Sequence, residues 1–368
     1  MRPSDNRKSA LNMNRGIDPP PSVHPDAARK FIGKKQKKLS ADEYLDGIIH
    51  HDRTLLGRAI TLVESQLPQD RELAQEIIRL CLPHSGASKR IGITGIPGVG
   101  KSSFIEAMGL SLTDQGHRVA VLAIDPSSTK SQGSILGDKT RMEMLANDPD
   151  AFIRPSPTAG SLGGVARKTA EIMILCEAAG FDLIFIETVG VGQSEIVVHS
   201  MVDCFLLLML AGAGDELQRI KRGIMEMADI IAITKADGEN IQAAEAAKIS
   251  YESALHLFPV PESGWATQVF TVSAFEGKGL SGLWDVIIQY FDTIRGNGYF
   301  EQHRLEQSRQ QMHQTIQEQL LENFYNHPDL ASAIRQAEKR VTKGQISGYT
   351  AAQEVLSRYS SLIKKGIT

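Results

Sequence analysis

The stretch Gly95-Ile96-Pro97-Gly98-Val99-Gly100-Lys101-Ser102-Ser103 has the spacing G-x-x-x-x-G-K-[S/T], and the strand-like run Arg90-Ile91-Gly92-Ile93-Thr94 stands immediately before it. Such a loop grips phosphate. Its glycines let the backbone wrap a polyphosphate with successive N–H groups turned inward, Lys101 reaches the β- and γ-phosphates, and the Ser102 hydroxyl ligates magnesium. Further on, the apolar run Phe181-Asp182-Leu183-Ile184-Phe185-Ile186 ends in Glu187 and continues as Thr188-Val189-Gly190. In phosphate-loop enzymes this is the place of the acid near magnesium. A glutamate reaches one methylene further than the usual aspartate, onto the metal itself or onto a water bound to it.

A third segment selects the base. The apolar run Asp229-Ile230-Ile231-Ala232-Ile233 leads into Thr234-Lys235-Ala236-Asp237, the T-K-x-D form of the guanine reader N-K-x-D. The Asp237 carboxylate accepts two hydrogen bonds, from the guanine ring N–H and from the exocyclic amine. Adenine offers neither and leaves a buried acceptor unpaired, a penalty of about 1–3 kcal/mol. The expected nucleotide is therefore GTP, with GDP as product. Thr234 in place of Asn is expected to loosen the loop tether without removing the reader. After the run Val269-Phe270-Thr271-Val272, the segment Ser273-Ala274-Phe275 stands where a backbone N–H meets the guanine carbonyl.

The elements that must hold these loops alternate short apolar strands with helical patterns. Strands are expected near Ile91, over Val119 to Ile124, Leu183 to Ile186, Phe205 to Leu210, Ile230 to Ile233 and Phe270 to Val272. Such alternation predicts an α/β fold with a mostly parallel sheet covered by helices on both faces. Before it, Ser40-Ala41-Asp42-Glu43 reads as a capping box, and Tyr44, Ile48, Ile49, Leu55, Leu56, Ala59, Ile60, Leu62 and Val63 recur at helical spacing. A second helix runs through Leu73, Ile77, Ile78 and Leu80 to Pro83. After Tyr290 come Gln- and Glu-rich helices with narrow apolar stripes, Leu305, Met312, Ile316, Leu320 and Phe324, then Val355, Leu356, Tyr359 and Leu362, interrupted at His327-Pro328. The pattern fits an arm between subunits as well as a hairpin laid back on its own domain. The organisation read from these shifts is a basic tail over 1–39, a helical segment over 40–88, a nucleotide-binding domain over 89–295 and a helical arm over 296–368.

Composition bounds the function. Residues 1–38 carry ten Lys or Arg against Asp5, Asp18 and Asp26, with Pro19, Pro20 and Pro21 in a row. So much charge with so few apolar residues reads as a solvated, disordered tail. The formal net charge of −3 over 368 residues argues against a protein that coats nucleic acid, and no apolar run is long enough for a membrane span. Three cysteines, Cys81, Cys176 and Cys204, suit a reducing compartment, so a cytoplasmic location is expected. Cys81-Leu82-Pro83-His84 has a metal-like spacing but no second Cys/His pair near it. The plain reading is a helix that ends at Pro83 with Cys81 packed inside.

Two longer motifs are more specific than any phosphate loop. Asp125-Pro126-Ser127-Ser128 with the segment 133–142, and Glu187-Thr188-Val189-Gly190-Val191-Gly192-Gln193-Ser194-Glu195 with Gly212-Ala213-Gly214-Asp215-Glu216-Leu217-Gln218, make the chain closely resemble the MeaB, MMAA and ArgK family from about Tyr44 onward. These are GTPases that act as chaperones of adenosylcobalamin-dependent methylmalonyl-CoA mutase. The resemblance implies that Asp125 and Asp138 approach magnesium together with Ser102 and Glu187, some of them exchanging between direct and water-mediated contact as the nucleotide changes. It also implies that the segment from Gly212 through Lys221 to Gly223 signals to the mutase, with Lys221 beside the reacting phosphate. Gln193 stands where a glutamine orients the attacking water, and equally where it would cap the following helix. No internal arginine finger is evident, so slow hydrolysis accelerated by the partner is expected. A homodimer through the C-terminal helices follows from the resemblance alone. The chain departs from the family at Gln132, commonly glycine, and at Thr234. Two other activities stay open: a kinase tied to transport of lysine, arginine or ornithine, and a nickel- or zinc-delivering GTPase using Cys81 and His84.

Overall fold

The computed structural model describes residues 39–125, 142–157, 162–188, 194–212 and 222–366. Seven strands make one sheet: β1 (Lys89–Gly95), β2 (Val119–Asp125), β3 (Ala151–Pro157), β4 (Leu183–Thr188), β5 (Cys204–Leu210), β6 (Ile230–Thr234) and β7 (Gln268–Thr271). Their order is β3-β2-β4-β1-β5-β6-β7, and every pairing is parallel. β1 is central, with Ile93 level with Glu187 of β4 on one side and with Leu206 of β5 on the other. Strand order reverses around β1, so the carboxyl ends of β1, β4, β5 and β6 open on a shared crevice where ligands bind in sheets of this kind.

Strands buried on both faces need apolar residues at successive positions, and β5 supplies them. Leu206 and Leu208 belong to a core with Ile91, Ile93, Phe104 and Ile105, while Leu207 and Met209 belong to one with Ile231, Ile233 and Tyr251. The first core is closed by α4 (Lys101–Thr113) and by α10 (Leu280–Gly296), through Leu283, Trp284, Ile287 and Phe291. Five further helices add to the cover, α5 (Glu143–Asn147), α6 (Leu162–Ala178), α7 (Ser194–His199), α8 (Arg222–Met227) and α9 (Ile241–Leu255). α7 lies so close to β1 that a Cβ on Gly92 would meet Val198 Cγ1 at 2.9 Å and Phe205 Cδ2 at 3.0 Å.

Strand β3 has no counterpart in the sequence reading. Its residues Ala151-Phe152-Ile153-Arg154-Pro155-Ser156-Pro157 contain two prolines, which mask the pattern. Proline is tolerated on the outermost strand, where its missing N–H faces no partner, and β3 is an edge strand. The apolar run from Tyr44 to Val63 also divides, into α1 (Ala41–Ile49) and α2 (Arg53–Glu64). His51 takes a left-handed φ of 66° with its ring bound to Ala179 O, and Asp52 caps the new helix by accepting from the N–H groups of Thr54 and Leu55 at 2.8 and 3.1 Å. α3 (Pro68–Cys81) ends two residues before Pro83, which sits in a tighter turn over Leu82–His84.

The C-terminal part forms three helices, α11 (Tyr299–Tyr325), α12 (Pro328–Thr342) and α13 (Gly348–Gly366). His327 caps α12 by accepting from Asp329 N. α12 and α13 pair through Leu330, Ala337, Ala351 and Val355, with Phe324 from the end of α11 against them. α11 itself is fixed by its first turns. The Arg304 guanidinium donates to both Asp203 oxygens at 2.8 and 2.7 Å and to the carbonyls of Gly86 and Ser88, and it lies over the Phe300 ring. A matching pair, Arg90 with Glu177, ties β1 to α6.

Candidate nucleotide site

The phosphate loop leaves β1 through Gly95, whose φ is 153° and whose Cβ, if present, would stand 2.5 Å from Leu208 O. No side chain fits there. Gly98 and Gly100 have φ of 81° and 98°, the left-handed region glycine enters without strain. Gly100 begins α4 with no side-chain cap, so the amides of Lys101, Ser102 and Ser103 face the crevice unclaimed by the helix, as the first N–H groups of any helix do. Together with the helix dipole they form an anion cradle. Within the loop Val99 N–H donates back to Ile96 O, and Pro97 has no N–H to give.

Lys101 is 9 % exposed and folds over its own loop, donating to Gly95 O at 2.8 Å and to Ile96 O at 3.3 Å. Burial lowers its pKa, against the charges of Glu187 and Glu195, which hold the ammonium. Ser102 Oγ donates to Glu187 Oε1 at 3.3 Å. The pair joins the first turn of α4 to the end of β4, and Glu187 is kept in place by its neighbour: Thr188 Oγ1 bonds Thr94 Oγ1 at 2.8 Å in a buried bridge to β1. An alcohol and a carboxylate at this spacing, beside amides that take phosphate, fit a small hard cation that fills its remaining positions with phosphate oxygens and water. Asp125 ends β2 next to β4, but its side chain lies outside the described residues, as do Asp138, Gln193, Lys221 and Gln132. Among the described residues no group of three or more His, Cys, Asp or Glu is gathered in a metal-binding cluster.

The segment from Thr234 to Asp237 is tied to the loop from Gly95 to Ser103 at two points. Thr234 Oγ1, 4 % exposed, lies 2.7 Å from Val99 O and 3.1 Å from Met209 O. The hydroxyl thus ties the loop that threonine in place of asparagine was expected to loosen. Lys235 adopts a left-handed φ of 57°, its Nζ donates to Gly98 O at 2.9 Å, and its carbonyl accepts from Asn240 Nδ2 at 2.6 Å. A strained residue held from both ends marks a functional turn. Asp237 Oδ2 accepts from the hydroxyl of Ser273, which is fully buried, and Glu276 N–H donates to the same hydroxyl at 3.1 Å. Ser273 N–H is spent on Lys278 O, so Ala274 supplies the amide of that pair that remains for a ligand. Phe275 is 94 % exposed at the lip of this loop.

The pair Cys81 and His84 is separated in character: Cys81 is fully buried with its thiol pushed up to about 11 by burial, and His84 is exposed on the turn that follows. Cys176 and Cys204 are buried as well, and all three are free thiols. The sequence reading passed over four contributors: Thr94 and Thr188, Asn240, and Glu195, a buried carboxylate in α7. Thr188 and Glu195 were visible in the motif from Glu187 to Glu195; the contacts of Thr94 and Asn240 depend on strand pairing and turn geometry that spacing does not encode.

The family model described as methylmalonyl Co-A mutase-associated GTPase MeaB matches residues 56–329. A probable GTPase of Mycobacterium tuberculosis is 49 % identical over 319 residues, which span 86 % of this chain and 95 % of its own. The mitochondrial methylmalonic aciduria type A homolog of Mus musculus is 44 % identical over 340 residues, covering 90 % of this chain and 82 % of its own. A crystal structure of a LAO/AO transport system kinase superposes with a TM-score of 0.70 at 35 % identity, covering 89 % of this chain and all of that one. With its parallel sheet and the loop from Gly95 to Ser103 at the end of β1, this chain belongs to the MeaB family of methylmalonyl-CoA mutase-associated GTPases.

Proposed function

We propose that this GTPase is a chaperone that binds an adenosylcobalamin-dependent acyl-CoA mutase, methylmalonyl-CoA mutase in the first place, and gates loading and protection of its cofactor. The observation that carries the reading is the joining of the two nucleotide loops, through Thr234 to Val99 and Lys235 to Gly98. Base recognition and phosphate grip then form one rigid body, and cleavage of the γ-phosphate changes the charge that the acidic loops around it must balance. In this reading Gly95 to Ser103 cradle the phosphates, Lys101 takes their charge, and Asp237, Lys235, Ser273, Ala274 and Phe275 hold the base. Ser102 and Glu187, with Asp125 and Asp138, are the residues that would hold magnesium, which when bound neutralises charge developing on the leaving diphosphate. Gln193 and Lys221 are proposed to face the γ-phosphate.

The test is phosphate release from GTP and from ATP, each with and without the mutase. Slow release from GTP, a large acceleration by the mutase and none from ATP are expected, because completing the charge in trans is worth several orders of magnitude in this chemistry. Equal rates with and without the mutase would defeat partner activation. With labelled γ-phosphate, the label is expected only as free phosphate. Label retained on protein would favour the transport-kinase reading suggested by the name of the superposed structure.

We also propose a homodimer through the C-terminal helices. α11 leaves Leu305, Met312, Ile316, Leu320, Leu321 and Tyr325 exposed, an apolar series on one helix that a second copy would cover. Leu320→Glu is expected to weaken self-association on the order of tenfold or more by sedimentation, with the circular dichroism spectrum unchanged. A variant that sediments like the parent would remove this face from the interface.

A further inference from the structure

The backbone ladder between β1 and β4 ends where Ile93 stands level with Glu187. The next residue of each strand, Thr94 and Thr188, is joined to the other by side chain instead, Thr188 Oγ1 donating to Thr94 Oγ1 at 2.8 Å. Both residues are 1 % exposed. Two valines would have the same shape here and no hydroxyl to keep paired, at little or no loss of stability. A buried polar bond at such a place has to be explained by what it fixes.

Successive side chains of a strand point to opposite faces of the sheet. Ile93 and Phe185 lie in the core closed by α4, so Glu187, two residues beyond Phe185, projects to that same face, where it meets the Ser102 hydroxyl. Gly92 faces the other way, where a Cβ would meet Val198 of α7, and Thr94 and Thr188 share that side with it. The hydroxyl bond therefore stands behind the pair Ser102 and Glu187, on the reverse of the sheet. Its two ends are each one residue from the working parts. Thr188 follows Glu187, and Thr94 precedes Gly95, whose carbonyl accepts from Lys101. On its β2 side Thr188 is held by backbone pairing level with Ile124, and toward β1 the hydroxyl carries the ladder one step further.

We infer that the bond between Thr94 and Thr188 is a positioning device: it fixes the end of β4 against the root of the phosphate loop and so sets Glu187 at the distance from Ser102 that magnesium requires. The inference rests on the magnesium and guanine-nucleotide reading given above. Magnesium demands a nearly regular octahedron with ligands at about 2.1 Å, so a carboxylate carried off its place by a loosened strand end binds it poorly. Without the hydroxyl bond, β4 would be paired to β1 only up to Glu187 itself, at the end of the ladder where strands fray.

The experiment measures GDP affinity by calorimetry over a series of magnesium concentrations, for the full chain and for Thr188→Val, Thr188→Ser and the double variant Thr94→Val with Thr188→Val. Thr188→Val keeps the shape of the side chain and removes its donor. The magnesium concentration that gives half of the metal's strengthening of GDP binding is expected to rise on the order of tenfold, the lower end of what losing a residue that supports a metal ligand costs. GDP affinity without metal should stay near the parent value. Thr188→Ser returns the hydroxyl and should return the metal requirement with it. The double variant separates position from stability. With both hydroxyls gone no buried polar group is left unpaired, so its melting temperature should recover toward that of the parent, while the raised magnesium requirement persists. The inference is overturned if either valine variant needs no more magnesium than the parent, or if Thr188→Ser fails to restore it. Loss of GDP affinity to the same degree with and without metal would overturn it too, as the mark of general damage to the loop. A parent chain that bound GDP without responding to magnesium would instead remove the metal reading of Ser102 and Glu187, and one that bound no GDP would remove the nucleotide reading itself.

Discussion

Lys101→Met is expected to lose GTP turnover by roughly 10²–10³-fold while the protein stays folded, because the lost group is a preorganised charge aimed at the transferring phosphate. Methionine keeps most of the buried stem and discards the ammonium, which sits 9 % exposed and bonded to carbonyls of its own loop. That ammonium is costly to bury, and burial lowers its pKa even with Glu187 and Glu195 near it. The empty protein should therefore melt close to the wild type. Stabilisation by nucleotide separates the two. A ligand present at a hundred times its Kd adds about 2.7 kcal/mol to the folded state, and the variant should show little of this at a GDP concentration that saturates the parent. A variant that hydrolysed GTP at the parent rate would remove Lys101 from the phosphate site and leave it a buried structural lysine.

How far the fold could be read from the chain depended on whether a feature was local. Central strands β4, β5 and β6 are continuous apolar runs because both their faces are covered, and such runs are visible without any partner. The phosphate loop was equally plain, since Gly95, Gly98 and Gly100 are required by the backbone at those very positions. Strand β3 was hidden by Pro155 and Pro157, which only its edge position allows. The break at His51 was hidden because it depends on Ala179, 128 positions away. At the candidate site, residue types and spacing singled out Lys101, Ser102, Glu187 and Asp237. The bonds that hold them, Thr94 to Thr188, Thr234 to Val99 and Ser273 to Asp237, join segments remote in sequence, and only the sheet register brings them together. Thr234 shows the limit most clearly: read by comparison with asparagine it is a loss, and read in place it is a tether.

Arg304→Ala is expected to destabilise the chain by about 3–5 kcal/mol, measured as a fall in the urea midpoint, because it leaves a buried charge without its partner. Asp203 is 1 % exposed by side chain and accepts from Arg304 Nε and Nη2 and from Arg90 N–H at 2.8 Å. Taking away the guanidinium also strands the carbonyls of Gly86 and Ser88, and it removes the cation over Phe300, at 4.4 Å from the ring centroid. Arg304→Lys should recover only part of the loss. An ammonium supplies the charge but lacks the planar fork that meets both carboxylate oxygens and two carbonyls together. The effect should be uneven along the chain. Asp203 and Arg90 stand at the entrances of β5 and β1, the opposite ends of those strands from the phosphate loop, and both strands keep their neighbours in the sheet. GDP binding at low temperature, where the variant is still folded, should therefore remain near the parent value, while amide exchange along the first turns of α11 accelerates. Loss of nucleotide binding in step with stability would mean instead that the seat of α11 and the phosphate site unfold as one unit.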